Sequence, residues 1–212
     1  GAGIISSGGN PGHHDPYYRF VGLAQAHYSD LIQNLANDGV TETGYAVCGS
    51  LLVAVDDREI VEFERSTAGF PVGDGRDPVK PVVVSSGRAR ELFPPLGEVT
   101  GALFSPTAAR VDGRQLAAVL ESAAVVRGLT VETRSVTDIR SSNGGVQVTV
   151  EGEKVSSGNL VIAGGAWSQS FSEQLGVSIP VAPQRGQILH LDLGETDSSS
   201  WPIVSGMGEH YM

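Results

Sequence analysis

The sequence predicts an α/β protein in which stretches of doubly wound character are interleaved with mixed α+β segments. Three observations carry this. A capped amphipathic helix over 112–127 leads through short strands and a hairpin signal to an apolar strand at 160–163, which runs through Gly164-Gly165 into another helix. Segments 15–105 and 181–212 mix helix and strand patterns without that order. Finally, 40% of the 212 residues are hydrophobic, enough for a real core, and the 28 glycines follow no repeat period, which excludes collagen-like and low-complexity chains.

Residues 1–14 are rich in Gly and Ser without a periodic apolar face, so a loop is expected. Asp15-Pro16 supplies a capping acid and a proline at the first helical position. Over 17–35, Phe20, Val21, Leu23, Ala24, Tyr28, Leu31, Ile32 and Leu35 recur at three- and four-residue spacing, predicting an amphipathic helix that Asn37-Asp38-Gly39 closes. The run 45–55, with Val47, Leu51, Leu52, Val53 and Val55, reads as one strand, and 56–66 as a short helix. A surface loop is expected over 69–81, then a short helix over 86–92 stopped by Pro94-Pro95, then a strand over 101–104.

In the more regular half, Asp112 caps a helix whose Leu116, Val119, Leu120, Ala123 and Ala124 face inward, and Gly128 stops it. Strands are expected over 129–133 and 136–140. Asn143-Gly144 is a hairpin turn signal, after which Val146, Val148 and Val150 alternate and Gly152 turns the chain toward Val155. The run 160–163 has the character of a buried parallel strand, followed by a helix over 166–175. A last strand is expected over 187–193.

Fourteen Lys and Arg against 24 Asp and Glu give a net charge of −10, which disfavours nucleic acid and anionic lipid as partners. No apolar run approaches the roughly 20 residues of a membrane span. The start of the chain has no cationic stretch followed by an apolar one, so a cytoplasmic protein is expected. Cys48, the single cysteine, reads as a small hydrophobe. His13-His14-Asp15 reads as a solvated loop, because adjacent side chains of an extended segment point apart; no metal is expected. The absence of a Gly-x-Ser-x-Gly elbow, a Walker loop and a His-Glu-x-x-His helix weighs against hydrolases and NTPases.

Two glycine segments invite a cofactor. Gly1-Ala2-Gly3-Ile4-Ile5-Ser6 looks like a dinucleotide fingerprint and fails as one, since Ser6 takes the last glycine position and no strand precedes it. At Ala163-Gly164-Gly165 a strand end without side chains would let a cofactor approach the backbone, with the N–H groups of the next helix facing its phosphates. An ordinary tight β–α turn reads the same way. Arg185, before Gly186, reads as a structural arginine, and Trp201 and Met207 read as core.

The order of elements from 112 to 165 resembles the middle of flavoprotein oxidoreductases, specifically the D-amino-acid oxidase, glycine oxidase and sarcosine oxidase family of FAD enzymes. Ala2-Gly3-Ile4-Ile5-Ser6 resembles the family's small-residue segment downstream of its glycine fingerprint. Arg110-Val111-Asp112-Gly113-Arg114-Gln115-Leu116 resembles its V-D-P-x-x-L helix start, with Gly113 for the proline. Residues 161–168 resemble V-V-x-A-x-G-A-W-S, and 180–189 (PVAPQRGQIL) resemble P-x-x-P-x-R-G-Q.

The resemblance implies a partial Rossmann-like FAD-binding domain with a β-meander, built from 1–10 and 106–180. An α+β substrate domain would be built from 11–105 and 181–212. It implies that the chain is an interior fragment lacking the glycine fingerprint and the substrate-carboxylate arginine, so the fragment is expected to be inactive and to bind FAD weakly or not at all. Ala2, Gly3 and Ile4 would run along the flavin. Val136 would meet the adenine, and Ala163, Gly164 and Trp167 the adenosine and pyrophosphate. Tyr211, after His210, would stand near the substrate, a small amine or amino acid; a core tyrosine is the other reading of that residue. No catalytic residue is assigned, and the oligomeric state is left open. The implied reaction is hydride transfer from the substrate's carbon–nitrogen bond to flavin, giving an imine that water hydrolyses. A non-catalytic α/β binding or scaffold module is the alternative.

Overall fold

Helices form where the sequence supplies caps, as seen in a computed structural model describing residues 3–5, 16–142 and 144–207. The chain divides into two units, Gly1–Leu129 with Glu195–Met212, and Thr130–Gly194. In the first unit α1 spans Pro16–Asn37 and stops at Gly39; its expected cap, Asp15, lies outside the described residues. Helix α2, Asp57–Thr67, is capped by Asp56, whose carboxylate accepts from the N–H groups of Arg58 and Glu59 at 2.9 and 3.1 Å. Ser85 caps α3, Ser86–Leu92, and Asp112 caps α4, Gly113–Val126. Each cap satisfies amides that the first helical turn leaves without a partner.

Among the described residues, seven short strands form two sheets in this unit. Strands β1 (Ile4–Ile5), β6 (Ala109–Arg110) and β2 (Ala46–Val47) make an antiparallel sheet with β6 in the middle. Strands β10 (Ile203–Gly206), β3 (Ser50–Ala54), β5 (Gly101–Ser105) and β4 (Val82–Val84) make the larger one, antiparallel except for the β10–β3 pair. One of its faces buries Leu51, Val53, Val82, Val84, Ala102, Phe104 and Val204 against Ala89 and Phe93, with Trp201 set edge-on to Phe93 at 5.1 Å. The other packs Ala54 and Leu103 on Phe63 of α2, with Met207 alongside. A third cluster joins Leu35 of α1 to Leu116, Val119 and Ala123 of α4, and Arg127 reaches Asp38 at 2.7 Å across the ends of these helices.

The second unit is a meander, β7 (Val136–Ser142), β8 (Gly145–Val150) and β9 (Glu153–Ser157), tied by Arg134 to Glu132 and Glu153. A 3-10 turn over Gly165–Phe171 and helix α5, Ser172–Leu175, follow. Gln174 of α5 accepts from the N–H of Ile139 at 2.7 Å on the outer edge of β7.

The mixed α/β class, helices α1 to α4 and the meander match expectation. Other elements do not. The run 45–55 is two strands, because Gly49 adopts φ +77 and turns the chain between β2 and β3. Strands β1, β4, β6 and β10 were not expected; two to four residues carry too little period to be read. Segments 129–133, 160–163 and 187–193 are not strands, since no neighbour among the described residues supplies their ladder hydrogen bonds. Their apolar side chains stand exposed, Val161 at 84% and Leu189 at 87%. Where a helix was expected over 166–175, Gly165–Phe171 winds as a 3-10 turn and only Ser172–Leu175 is α-helical. Leu120 faces outward rather than into the core, and Tyr17, Phe20 and Leu23 of α1 are exposed.

Leu51 is fully buried in the larger sheet. L51A is expected to cost about 2–5 kcal/mol, through lost burial and the cavity left behind. Urea unfolding should show a lower midpoint at unchanged slope; an unchanged midpoint would contradict this packing.

Candidate functional site

The N-terminal flavin-segment candidate is held by backbone geometry. Gly3 has φ +73, a conformation that favours glycine, and its carbonyl accepts from the Val111 N–H at 2.8 Å. A Cβ built on Gly3 would lie 2.2 Å from the Val111 carbonyl oxygen, so the missing side chain is required by the protein's own packing. Ile4 pairs with Arg110 and is 36% exposed. Ala2 and Tyr211, together with His13, His14 and His210, lie outside the described residues.

Around β6 the first unit gathers charged and polar groups, of which sequence reasoning named Arg110, Asp112 and Cys48 but not Asp197 or Ser199. Arg110 donates to the Ser199 carbonyl at 3.0 Å. The Asp197 carboxyl is held below its ordinary range by hydrogen bonds from the Ser199 hydroxyl and N–H, helped by the Arg110 charge. Burial pushes the Cys48 thiol up, against the pull of Arg110, so Cys48 stays a protonated thiol, in line with its reading as a small hydrophobe. The Asp112 carboxylate accepts from Gln115 and Arg114 N–H groups at 3.0 and 2.8 Å, which hold its carboxyl below the ordinary value of 3.8. Gly44 leans on the same residue; a Cβ there would lie 2.6 Å from Asp112 Cβ. The only sequence signal for this knot was the Val-Asp-Gly helix start; nothing marked Gly44 or Ser199.

In the second unit Ala163, Gly164 and Trp167 share one turn, where the Trp167 N–H donates to the Gly164 carbonyl at 3.1 Å. Ser168 is buried behind it, while Trp167 is 76% exposed. A Cβ on Gly165 would meet nothing within 4 Å. Gly165 thus leaves open space beside an exposed indole, room for a planar or phosphate-bearing group, whereas a Cβ on Gly164 would lie 3.3 Å from Ser168 Oγ. Val136 begins β7, an outer strand of the meander, and is 38% exposed. Arg185 is exposed, whereas Trp201 and Met207 pack on the two faces of the larger sheet, as their core reading expects.

A cleft of about 430 Å3 in the first unit, lined by Ile60, Phe63, Thr67, Phe70, Val83 and Thr100, includes none of the candidate site residues. Among the described residues no three His, Cys, Asp or Glu side chains converge, and no helix is long and apolar enough to cross a membrane.

Comparison with known proteins bears on this arrangement. The profile of the family described as "DAO: FAD dependent oxidoreductase" matches residues 1–212. The uncharacterized oxidoreductase YurR of Bacillus subtilis (strain 168) is 28% identical over 217 residues, covering 100% of this chain and 56% of that protein. The crystal structure of iminodiacetate oxidase from Chelativorans sp. BNC1 superposes with a TM-score of 0.83 at 31% identity, over 100% of this chain and 57% of that one. Glycine oxidase of Geobacillus kaustophilus (strain HTA426) is 33% identical over 107 residues, 49% of this chain and 28% of that protein. A glycine oxidase structure from Geobacillus kaustophilus shares the fold, with a TM-score of 0.78 at 23% identity over 99% of this chain and 56% of that one. The chain thus spans about half the length of the first of these relatives.

The depressed Asp112 carboxyl has a pH consequence. A carboxyl held low in the folded state contributes stability that is present above its ordinary value of 3.8 and is lost as pH falls through the folded value. Wild type should therefore melt above D112N at neutral pH, with the difference shrinking below about pH 4. A melting difference that does not change with pH would contradict this.

Proposed function

The chain belongs to the DAO family of FAD-dependent oxidoreductases, and from that premise we propose that the protein oxidises a small amine or amino acid. The observation that carries this reading is the correspondence of the whole chain with an iminodiacetate oxidase, at 31% identity and a TM-score of 0.83. FAD, when bound, supplies a two-electron acceptor for the substrate's carbon–nitrogen bond, and the resulting imine hydrolyses. The chain's own residues would bind and orient: Ala2, Gly3 and Ile4 would present backbone along the flavin, Val136, Ala163, Gly164 and Trp167 would hold the adenosine and pyrophosphate end, and Tyr211 would stand near the substrate. Segments 1–10 and 106–180 then belong to the cofactor domain, and 11–105 and 181–212 to the substrate domain.

Glycine and iminodiacetate, named in the relatives, share an N–CH2–COO− unit. We assign that unit as the substrate class. Oxidation of its carbon–nitrogen bond followed by hydrolysis releases glyoxylate and the amine.

The protein expressed from its complete gene should carry flavin, visible as its absorbance band. It should form glyoxylate from glycine, an N-alkylglycine or iminodiacetate, trapped as a hydrazone. Protein that takes up no FAD and oxidises none of these amines would favour the scaffold reading instead. The 212-residue chain alone should bind FAD weakly or not at all in a fluorescence titration; tight stoichiometric binding would contradict that.

A further inference from the structure

Three segments of the first unit meet at the start of α4. The Gly3 carbonyl accepts from the Val111 N–H at 2.8 Å, and the Gly3 Cα sits so close to the Val111 carbonyl that a Cβ would lie 2.2 Å from its oxygen. The next residue, Asp112, fixes the first turn of α4 through Arg114 and Gln115. Gly44 packs on the other side of Asp112, where a Cβ would lie 2.6 Å from Asp112 Cβ and 2.8 Å from Gln115 Oε1. Backbone that is bonded on one side and sterically confined on the other cannot shift without its neighbour. The peptide carrying the Gly3 contact is therefore continuous with the peptide that the cap orients.

We propose that Asp112 is a positioning residue for the cofactor: by fixing the start of α4 it sets Val111, and through Val111 the backbone of Gly3 and Ile4. The proposal rests on the assignment of Gly3 and Ile4 to the flavin. A matched control exists in the same unit. Asp56 caps α2 with the same pair of hydrogen bonds, accepting from Arg58 and Glu59, and α2 packs on the larger sheet rather than on β1.

The test compares D112A, D112N and D56A in the protein expressed from its complete gene, by melting temperature, FAD dissociation constant and the flavin's visible spectrum. D112A and D56A should lose similar melting temperature, since both delete an Asp cap. Only D112A should loosen FAD, by about tenfold, or about 1.4 kcal/mol, and shift the flavin band. D112N keeps an acceptor for the same amides and should restore both readouts to within about twofold. If D112A does not fold, G44A, which crowds Asp112 but keeps its carboxylate, should loosen FAD in the same direction. Equal loosening by D112A and D56A, or loss of melting temperature in D112A (or G44A) with FAD affinity and spectrum unchanged, would overturn the positioning role while leaving the oxidase reading intact. Wild type that takes up no FAD would overturn both.

Discussion

Strand β6 is two residues long, yet both of its edges are occupied, with Arg110 facing Ile4 on one side and Ala46 on the other. The residues around it carry the rest of the first unit. The Ala108 carbonyl accepts from both Cys48 and Gly49, Val111 donates to Gly3, and Asp112 caps α4. Ala108 and Ala109 are each 1% exposed, so the strand crosses the interior with small side chains between two close neighbours. A buried amide or carbonyl left without a partner costs about 1–3 kcal/mol, and the bonds of Ala108 and Val111 join segments far apart in sequence. No part of 108–112 can move without breaking one.

The same constraint reaches the larger sheet through Gly49. Its N–H donates to Ala108 at 2.8 Å, in the small sheet, and its carbonyl accepts from Ile203 at 3.0 Å, where β10 begins. Its φ of +77 makes the turn between β2 and β3, and a Cβ would lie 2.7 Å from the Phe104 ring. One residue thus links both sheets of the unit, and its identity is fixed by conformation and by contact together. The core on either side of β3 then follows from alternation, with Leu51 and Val53 toward α3, and Ala54 toward α2.

What the sequence made legible was whatever is written locally. Asp112 marks a helix start because a short acceptor satisfies nearby amides, and Gly39 and Gly128 mark ends for the matching reason. The meander was legible because Val146, Val148 and Val150 alternate between turn signals. Strands β1, β6 and β10 were not, because their existence depends on pairing with residues 62 to 153 positions away rather than on any pattern of their own. The reverse failure occurs at 160–163 and 187–193, where the alternation or apolar run is present and the pairing among described residues is not. Periodicity reports which face of a segment is apolar; a strand also needs a neighbour's hydrogen bonds. Of the candidate site, only the Ala163-Gly164-Gly165 turn could be read from residue chemistry, with an ordinary β–α turn reading the same way; the other residues were assigned through family resemblance alone.

Gly3 and Gly164-Gly165 looked alike in the sequence, as glycines where a cofactor could approach, and the structure separates them by cause. At Gly165 nothing lies within 4 Å of the absent side chain, and the exposed Trp167 stands in the same turn. At Gly3 the space is taken by Val111, so replacing the glycine would disturb the protein before it disturbed a ligand. A glycine can therefore serve a cofactor in two ways, by leaving room for it or by letting the chain fold tightly enough to place its neighbours. For Gly3 the second applies. Any contact this segment makes with a flavin depends on its peptide orientation, which 108–112 impose, and not on the small size of the residue.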